Sequence, residues 1–116
     1  MNTLIRKWWL GALFVLCACA GPQLYHGQLV ALNLGMAPES TVQQLGSPPL
    51  AVYHASIDGK DYLFHRYNLN NGIALDTYFL AFEGNQLKYW GYIDDFRRHP
   101  DSRLNRAMDV VFAAMK

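Results

Sequence analysis

Asp58-Gly59 is flanked on both sides by runs in which apolar side chains recur at alternate positions, and no other stretch constrains the fold as much. A two-residue Asp-Gly loop joins antiparallel strands, because its residues accept the positive φ angles that match strand twist. The turn predicts strands over residues 50–57 and 60–68. It pairs Ile57 with Lys60, Ala55 with Tyr62 and Tyr53 with Phe64, which together form one apolar face. The opposite face, with Val52, His54, Ser56, Asp61, Leu63, His65 and Tyr67, is more polar.

A second hairpin is expected over residues 73–83 and 86–93, turning at Gly84-Asn85. Its register sets Phe82 against Leu87 and Leu80 against Tyr89. On the other face Phe79 meets Trp90, and Thr77 meets Tyr92. Both faces of this hairpin are apolar, more than one helical layer requires.

Helical signals flank the strands. Residues 24–34 carry Leu24, Tyr25, Leu29 and Leu32 at helical spacing, interrupted by Gly27 and capped by Gly35. A second short helix starts at Pro38, whose missing N–H is harmless at a first helical position, and Glu39 favours the positive helix start. Its apolar pair is Val42 and Leu45. Gly46 stops it, and Ser47-Pro48-Pro49 prevents it resuming. After Asp94-Asp95-Phe96-Arg97-Arg98-His99-Pro100 leaves the sheet, Asp101 or Ser102 can cap a last helix with a stripe of Leu104, Met108, Val111, Phe112 and Met115. The fold class expected is α+β. Two short N-terminal helices pack on an antiparallel sheet of three or four strands, and a C-terminal helix is added.

The N-terminus carries a different kind of signal. Arg6 and Lys7 precede the apolar run Trp8-Trp9-Leu10-Gly11-Ala12-Leu13-Phe14-Val15, followed by Leu16-Cys17-Ala18-Cys19. A basic start, a short apolar run and a small-residue cleavage site make a secretory signal. The run falls short of the ~20 residues that span a bilayer. Leu, a small residue, Ala and Cys resembles the lipobox of bacterial lipoproteins, in which the peptidase cuts before the acylated Cys. The resemblance implies a signal over residues 1–18, a lipidated Cys19 with a tether over residues 19–23, and one domain over residues 24–116. Ordinary signal cleavage at Ala20 would instead leave no cysteine at all. Either route leaves no pair of thiols for a disulfide, although the compartment permits one. Ala20, after Cys19, is not the Asp that retains lipoproteins at the inner membrane, so by resemblance the destination is the outer membrane, facing the periplasm.

Removing residues 1–18 leaves 98 of 116 residues, with eight Lys and Arg against nine Asp and Glu. That is one domain of ordinary size. Its near-neutral balance provides no basic field for nucleic acid. Arg97, Arg98, Arg103 and Arg106 form a late basic cluster, read as a solvated loop and helix rim or as a contact with headgroups or an acidic partner.

Catalytic signals are weak. His54 and His65 share a strand face as diagonal neighbours with Asp61 nearby, but diagonal positions lie ~7–8 Å apart and a third ligand is missing. No metal or other cofactor is expected. None of Ser40, Ser47, Ser56 and Ser102 lies in a Gly-x-Ser-x-Gly elbow. Asp94-Asp95 reads as a turn rather than an acid and base pair. The chain is therefore read as a non-enzyme.

Residues 34–48, Leu-Gly-Met-Ala-Pro-Glu-Ser-Thr-Val-Gln-Gln-Leu-Gly-Ser-Pro, resemble the signature Gly-Met-Thr-x-x-x-Val-x-x-x-Leu-Gly-x-Pro of the BamE (SmpA/OmlA) outer-membrane lipoproteins. Here Val42 and Leu45 are three apart, one fewer than in the pattern, and Ala37 replaces the capping Thr. Tyr62-Leu63-Phe64-His65-Arg66-Tyr67 resembles the family's aromatic second strand, and residues 77–87 its second hairpin. The likeness covers residues 24–92. It implies a lipid-anchored envelope protein that supports envelope or β-barrel assembly through a protein partner. The fold is also shared by proteins that inhibit enzymes through a sheet surface, so an inhibitor of a periplasmic enzyme is the alternative. The candidate protein-binding residues are Phe79, Trp90, Tyr92, Arg97 and Arg98. Phe79, Trp90 and Tyr92, with Tyr67 beside them, are placed on the sheet face away from the N-terminal helices. There either the C-terminal helix covers them or a partner does.

Overall fold

The computed structural model describes residues 23–116. The expected signal, Cys19 and most of the tether lie outside the described residues.

The hairpin at Asp58-Gly59 organises the rest. Strands β2 (Ala51–Ile57) and β3 (Lys60–Asn70) pair antiparallel with Ile57 opposite Lys60, Ala55 opposite Tyr62 and Tyr53 opposite Phe64, in the register read from the turn. Asp58 and Gly59 both take positive φ, at 52° and 77°. Strand β3 is the sheet's spine. On its far side it pairs antiparallel with β4 (Leu75–Glu83), which pairs with β5 (Gln86–Tyr92).

The expected N-terminal helix is largely absent. Leu24–Tyr25 forms a short strand, β1, parallel to β3, and only His26–Leu29 is helical (α1). Leu24 is buried, so its backbone is held in the sheet rather than in a helix. Gln28 explains why helix persists for one turn. Its Oε1 accepts from the Tyr25 N–H at 2.8 Å, and its Nε2 donates to the Leu45 carbonyl at 2.9 Å. The sheet is thus five-stranded and mixed, not three- or four-stranded and antiparallel.

After α1 the chain crosses to the opposite edge of the sheet. There Gly35 N–H donates to the Leu87 carbonyl and Leu87 N–H to the Met36 carbonyl, both at 2.8 Å, which covers part of the β5 edge. Helix α2 (Pro38–Leu45) then returns and ends at Gly46, whose φ of 73° and bond to the Val42 carbonyl make it a left-handed cap. Its buried stripe is Pro38, Thr41 and Leu45 rather than Val42 and Leu45. Thr41 can be buried because its hydroxyl donates to the Pro38 carbonyl at 2.7 Å.

The sequence reading treats residues 94–100 as a loop, but Ile93–Arg97 forms helix α3. Asp95 Oδ2 accepts from the Tyr92 N–H at 2.8 Å at its start, and Phe96 is buried. The last helix, α4 (Ser102–Ala114), is capped by Asp101, which accepts from the Arg103 N–H.

Two cores result, one on each face of the sheet. The first contains Ala55, Tyr62, Phe64, Phe79, Ala81 and Phe96 beneath Leu104, Ala107, Met108 and Val111 of α4. The second contains Tyr67, Leu69, Tyr78, Leu80, Phe82 and Leu87, together with Leu24, Leu29, Leu32 and Leu45 from the N-terminal segment. The expectation that both faces of the second hairpin are apolar agrees with this, and the α+β class holds. Among the described residues no helix is long and apolar enough to cross a membrane.

Candidate functional site

The second hairpin departs from its expected register at one point. Phe82 faces Leu87 as expected, but a bulge follows, and Ala81 faces Tyr89, Leu80 faces Trp90, Phe79 faces Gly91 and Tyr78 faces Tyr92. Lys88 is the extra residue. One inserted residue reverses the side on which every later side chain projects.

That shift separates the proposed aromatic patch. Phe79 points under α4, is fully buried, and meets Phe64 and Phe96 edge-on at 6.0 and 6.5 Å between ring centres. It is a core residue. Trp90 and Tyr92 are half-buried on the opposite face, against the second core. Tyr67 lies on that face as well, fully buried, with its hydroxyl donating to the Ser47 carbonyl at 2.9 Å. The C-terminal helix is therefore the cover for the face that holds Phe79.

Tyr92, Arg97 and Arg98 do come together. They line an open cleft of about 550 Å³ with Asp76, Thr77, Ile93, Asp94, Asp95 and Phe112. Strand β5 delivers Tyr92, the short helix α3 delivers the two arginines, and α4 supplies Phe112 as the wall. The Arg97 guanidinium lies 4.5 Å from the Phe112 ring centre, and the Lys116 ammonium lies 5.0 Å from the same ring. Partial burial, then the nearby Asp76 and Asp95 carboxylates, push the Tyr92 phenol above its ordinary pKa, so it is a neutral donor at physiological pH. Three carboxylates against two guanidiniums make the cleft mixed in charge. That suits a peptide or protein surface with both donors and acceptors better than a simple anion. Asp95 spends one oxygen on the helix start, so the Asp94-Asp95 pair is a structural device here.

The histidine pair is diagonal as expected, with His54 opposite Leu63 and His65 opposite Val52. The two differ in environment. His54 is exposed, whereas His65 is buried against the Phe82 ring, 4.9 Å between centres, with no partner for Nδ1 among the described residues. Burial lowers the His65 pKa, and Glu39 opposes this only in part, so the ring is held neutral. Asp61 turns instead to the Ser56 hydroxyl, which donates to it at 2.7 Å. Among the described residues no three His, Cys, Asp or Glu side chains converge as a metal site.

The contribution of Asp76, Thr77 and Phe112 to the cleft was not legible from spacing. Asp76 and Thr77 belong to a strand start and Phe112 to a helix stripe, and only the tertiary fold joins them. Comparison with protein-family models, with curated proteins and with solved structures returns no match for this chain.

Proposed function

We propose that this chain is a lipid-anchored envelope protein, non-enzymatic, facing the periplasm from the outer membrane and supporting envelope or β-barrel assembly through protein contacts. One observation carries the reading: Leu16-Cys17-Ala18-Cys19 directly after the Arg6-Lys7 start and its apolar run. The BamE-like signature over residues 34–48 belongs to the same reading. The cleft of Tyr92, Arg97 and Arg98 is the surface offered to the partner. The alternative, an inhibitor acting through a sheet face, would have the exposed β2 side of the sheet, with Val52, His54 and Ser56, as its surface.

Two measurements test the proposal. Cys19→Ser should abolish acylation and leave an uncleaved precursor, read by intact mass. Mature, membrane-bound protein from that variant would refute the anchor. A pull-down from solubilised envelopes should recover barrel-assembly proteins with the native chain and lose them with an Arg97→Ala, Arg98→Ala double variant. Recovery of a single soluble periplasmic enzyme would favour the inhibitor class instead.

A further inference from the structure

The two edges of the sheet are treated differently. Along β5, Gly35 and Met36 bond to the backbone of Leu87 and cover part of the edge. Strand β2 pairs with β3 alone, and among the described residues no strand lies on its outer side. Strand β1 shares that flank of β3 but sits further along, beside Leu69 and Asn70.

The turn decides which backbone groups β2 leaves open. A two-residue loop is closed by a pair that exchanges both hydrogen bonds, here Ile57 and Lys60. By alternation Ala55 with Tyr62 and Tyr53 with Phe64 do the same. The N–H and C=O groups of Val52, His54 and Ser56 therefore point away from β3. Their side chains are exposed as well, Val52 at 47%. Natural edges are guarded by lysines, prolines or bulges. From Leu50 to Ile57 there is no proline and no charged side chain, and the register with β3 runs without a bulge.

Helix α4 flanks this edge on one face. Arg106 pairs with Asp58 at the end of β2, so the nearest charges satisfy each other. Val110 and Ala114 follow Arg106 at successive turns on the same side of the helix, both exposed. A strand added to β2 would thus set one row of side chains against Val110 and Ala114 and the other beside Val52, His54 and Ser56. The first row is apolar and the second small or polar.

The position of α4 also selects the occupant. Of the strands, α4 approaches β2 most closely. A second copy paired edge to edge would bring its own α4 over the adjoining strand, about 4.8 Å away. Packed helix axes keep roughly 8–10 Å apart. A lone strand brings no helix with it. We infer that the outer edge of β2 is a strand-addition site for an extended, uncharged segment of a partner protein with apolar residues at alternate positions. Main-chain bonds to Val52, His54 and Ser56 hold it, and the alternation gives it its register. The edge shares no residue with the Tyr92–Arg98 cleft and does not depend on the anchor.

The probe is a synthetic peptide, Thr-Val-Thr-Val-Thr-Val-Thr with blocked ends and a polyethylene glycol tail, added to the full chain in mild detergent. In the free chain the amides of Val52, His54 and Ser56 should exchange quickly with solvent, and those of Tyr53, Ala55 and Ile57 slowly. The peptide should slow the first three. N-methylation of alternate peptide amides should weaken binding by roughly tenfold or more for one set and little for the other, since one side of the peptide strand faces β2. His54→Pro removes an outward donor at a position where an edge strand tolerates proline, and should abolish binding with the melting temperature nearly kept. If that variant does not fold, Val52→Lys supplies a guarding charge instead and should have the same effect on binding. Val30→Lys, at a residue 84% exposed outside the strand, should bind like the native chain. Slow exchange at Val52, His54 and Ser56 without peptide would overturn the inference. It would give the edge to another part of the chain if sedimentation shows a monomer, and to a second copy if it shows a dimer. Absence of binding, binding indifferent to both methylation patterns, or undiminished binding by a folded edge variant would each overturn it too.

Discussion

Met108→Ala is the sharpest test of whether α4 belongs to the domain in solution. Met108 is fully buried and sits at the centre of the stripe formed by Leu104, Ala107 and Val111 over Phe64, Phe79 and Phe96. Truncating it removes the transfer term for most of a methionine side chain, within the roughly 1.5–3 kcal/mol for burying the whole of it. The residual cavity adds to this, and such changes cost about 2–5 kcal/mol in total. Native domains have ~5–15 kcal/mol of stability, so the variant should still fold. A loss of ~3 kcal/mol, with a urea slope of about 1–3 kcal/mol/M, lowers the urea midpoint by ~1–3 M. In thermal melts the same loss is about 12–24 °C for a domain of this size. Val110→Ala is the control. It lies on the same helix, 44% exposed on the outer side, and should change stability by no more than ~0.5 kcal/mol. Equal midpoints for Met108→Ala and the native chain would refute the argument. They would mean that α4 is not seated on the sheet and that the aromatic face under it is free.

Three further outcomes follow from local geometry. His65 has its pKa lowered from the ordinary 6.5 by burial, so the unfolded chain takes up that proton first; stability is full above about pH 6.5 and declines as pH falls from there through the folded-state pKa. His65→Leu should flatten that part of a Tm-against-pH curve, and an unchanged slope would assign the effect to another group. Gly46→Val places a β-branched residue at a φ of 73° and should cost about 1–2 kcal/mol, although nothing stands within 4 Å of the added Cβ; an unchanged urea midpoint would contradict the cap. Gly91→Ala should cost about 1–3 kcal/mol by pushing away the Asp95 carboxylate, whose oxygen would lie 2.8 Å from the new Cβ. In an Asp95→Gly background, which also removes the Asp95 Cβ that would lie 2.9 Å from the new one, the same change should cost little, and full additivity would show that Asp95 is not the obstacle.

What was legible in the sequence was what local chemistry alone decides. Asp58-Gly59 set the first hairpin and its register, because only a narrow class of turns closes two residues. Gly46 and Asp101 marked helix ends through backbone and side-chain capping. Leu24 and Tyr25 show the opposite case. Their spacing suits a helix, yet the open flank of β3 beyond β2 takes their backbone as a strand, and no local pattern encodes that vacancy. Helix α3 was missed for a related reason. It is too short to show a period, and its stabilising elements, a buried Phe96 and an Asp95 bond to the preceding N–H, become visible only when β5 is seen to end at Tyr92. The cleft residues Arg97 and Arg98 were found as a charge cluster, while the walls Asp76 and Phe112 are distant in sequence and meet only in the fold.

The bulge at Lys88 has the widest consequence for function. Without it, Phe79, Trp90 and Tyr92 would share a face, and a broad aromatic surface would be the natural docking site. With it, Phe79 is committed to the core beneath α4, whereas Trp90 and Tyr92 join the core beneath the N-terminal segment. The same reversal brings Gly91 opposite Phe79, and its missing Cβ leaves the space that the Asp95 carboxylate occupies. Asp95 then starts α3, and α3 carries Arg97 and Arg98 to the rim of the cleft beside Tyr92. A single inserted residue thus divides the expected aromatic face between the two cores and leaves the cleft at the sheet's margin. Under the proposed function the partner's site is this margin, where Asp76 of β4, Arg97 of α3 and Phe112 of α4 meet.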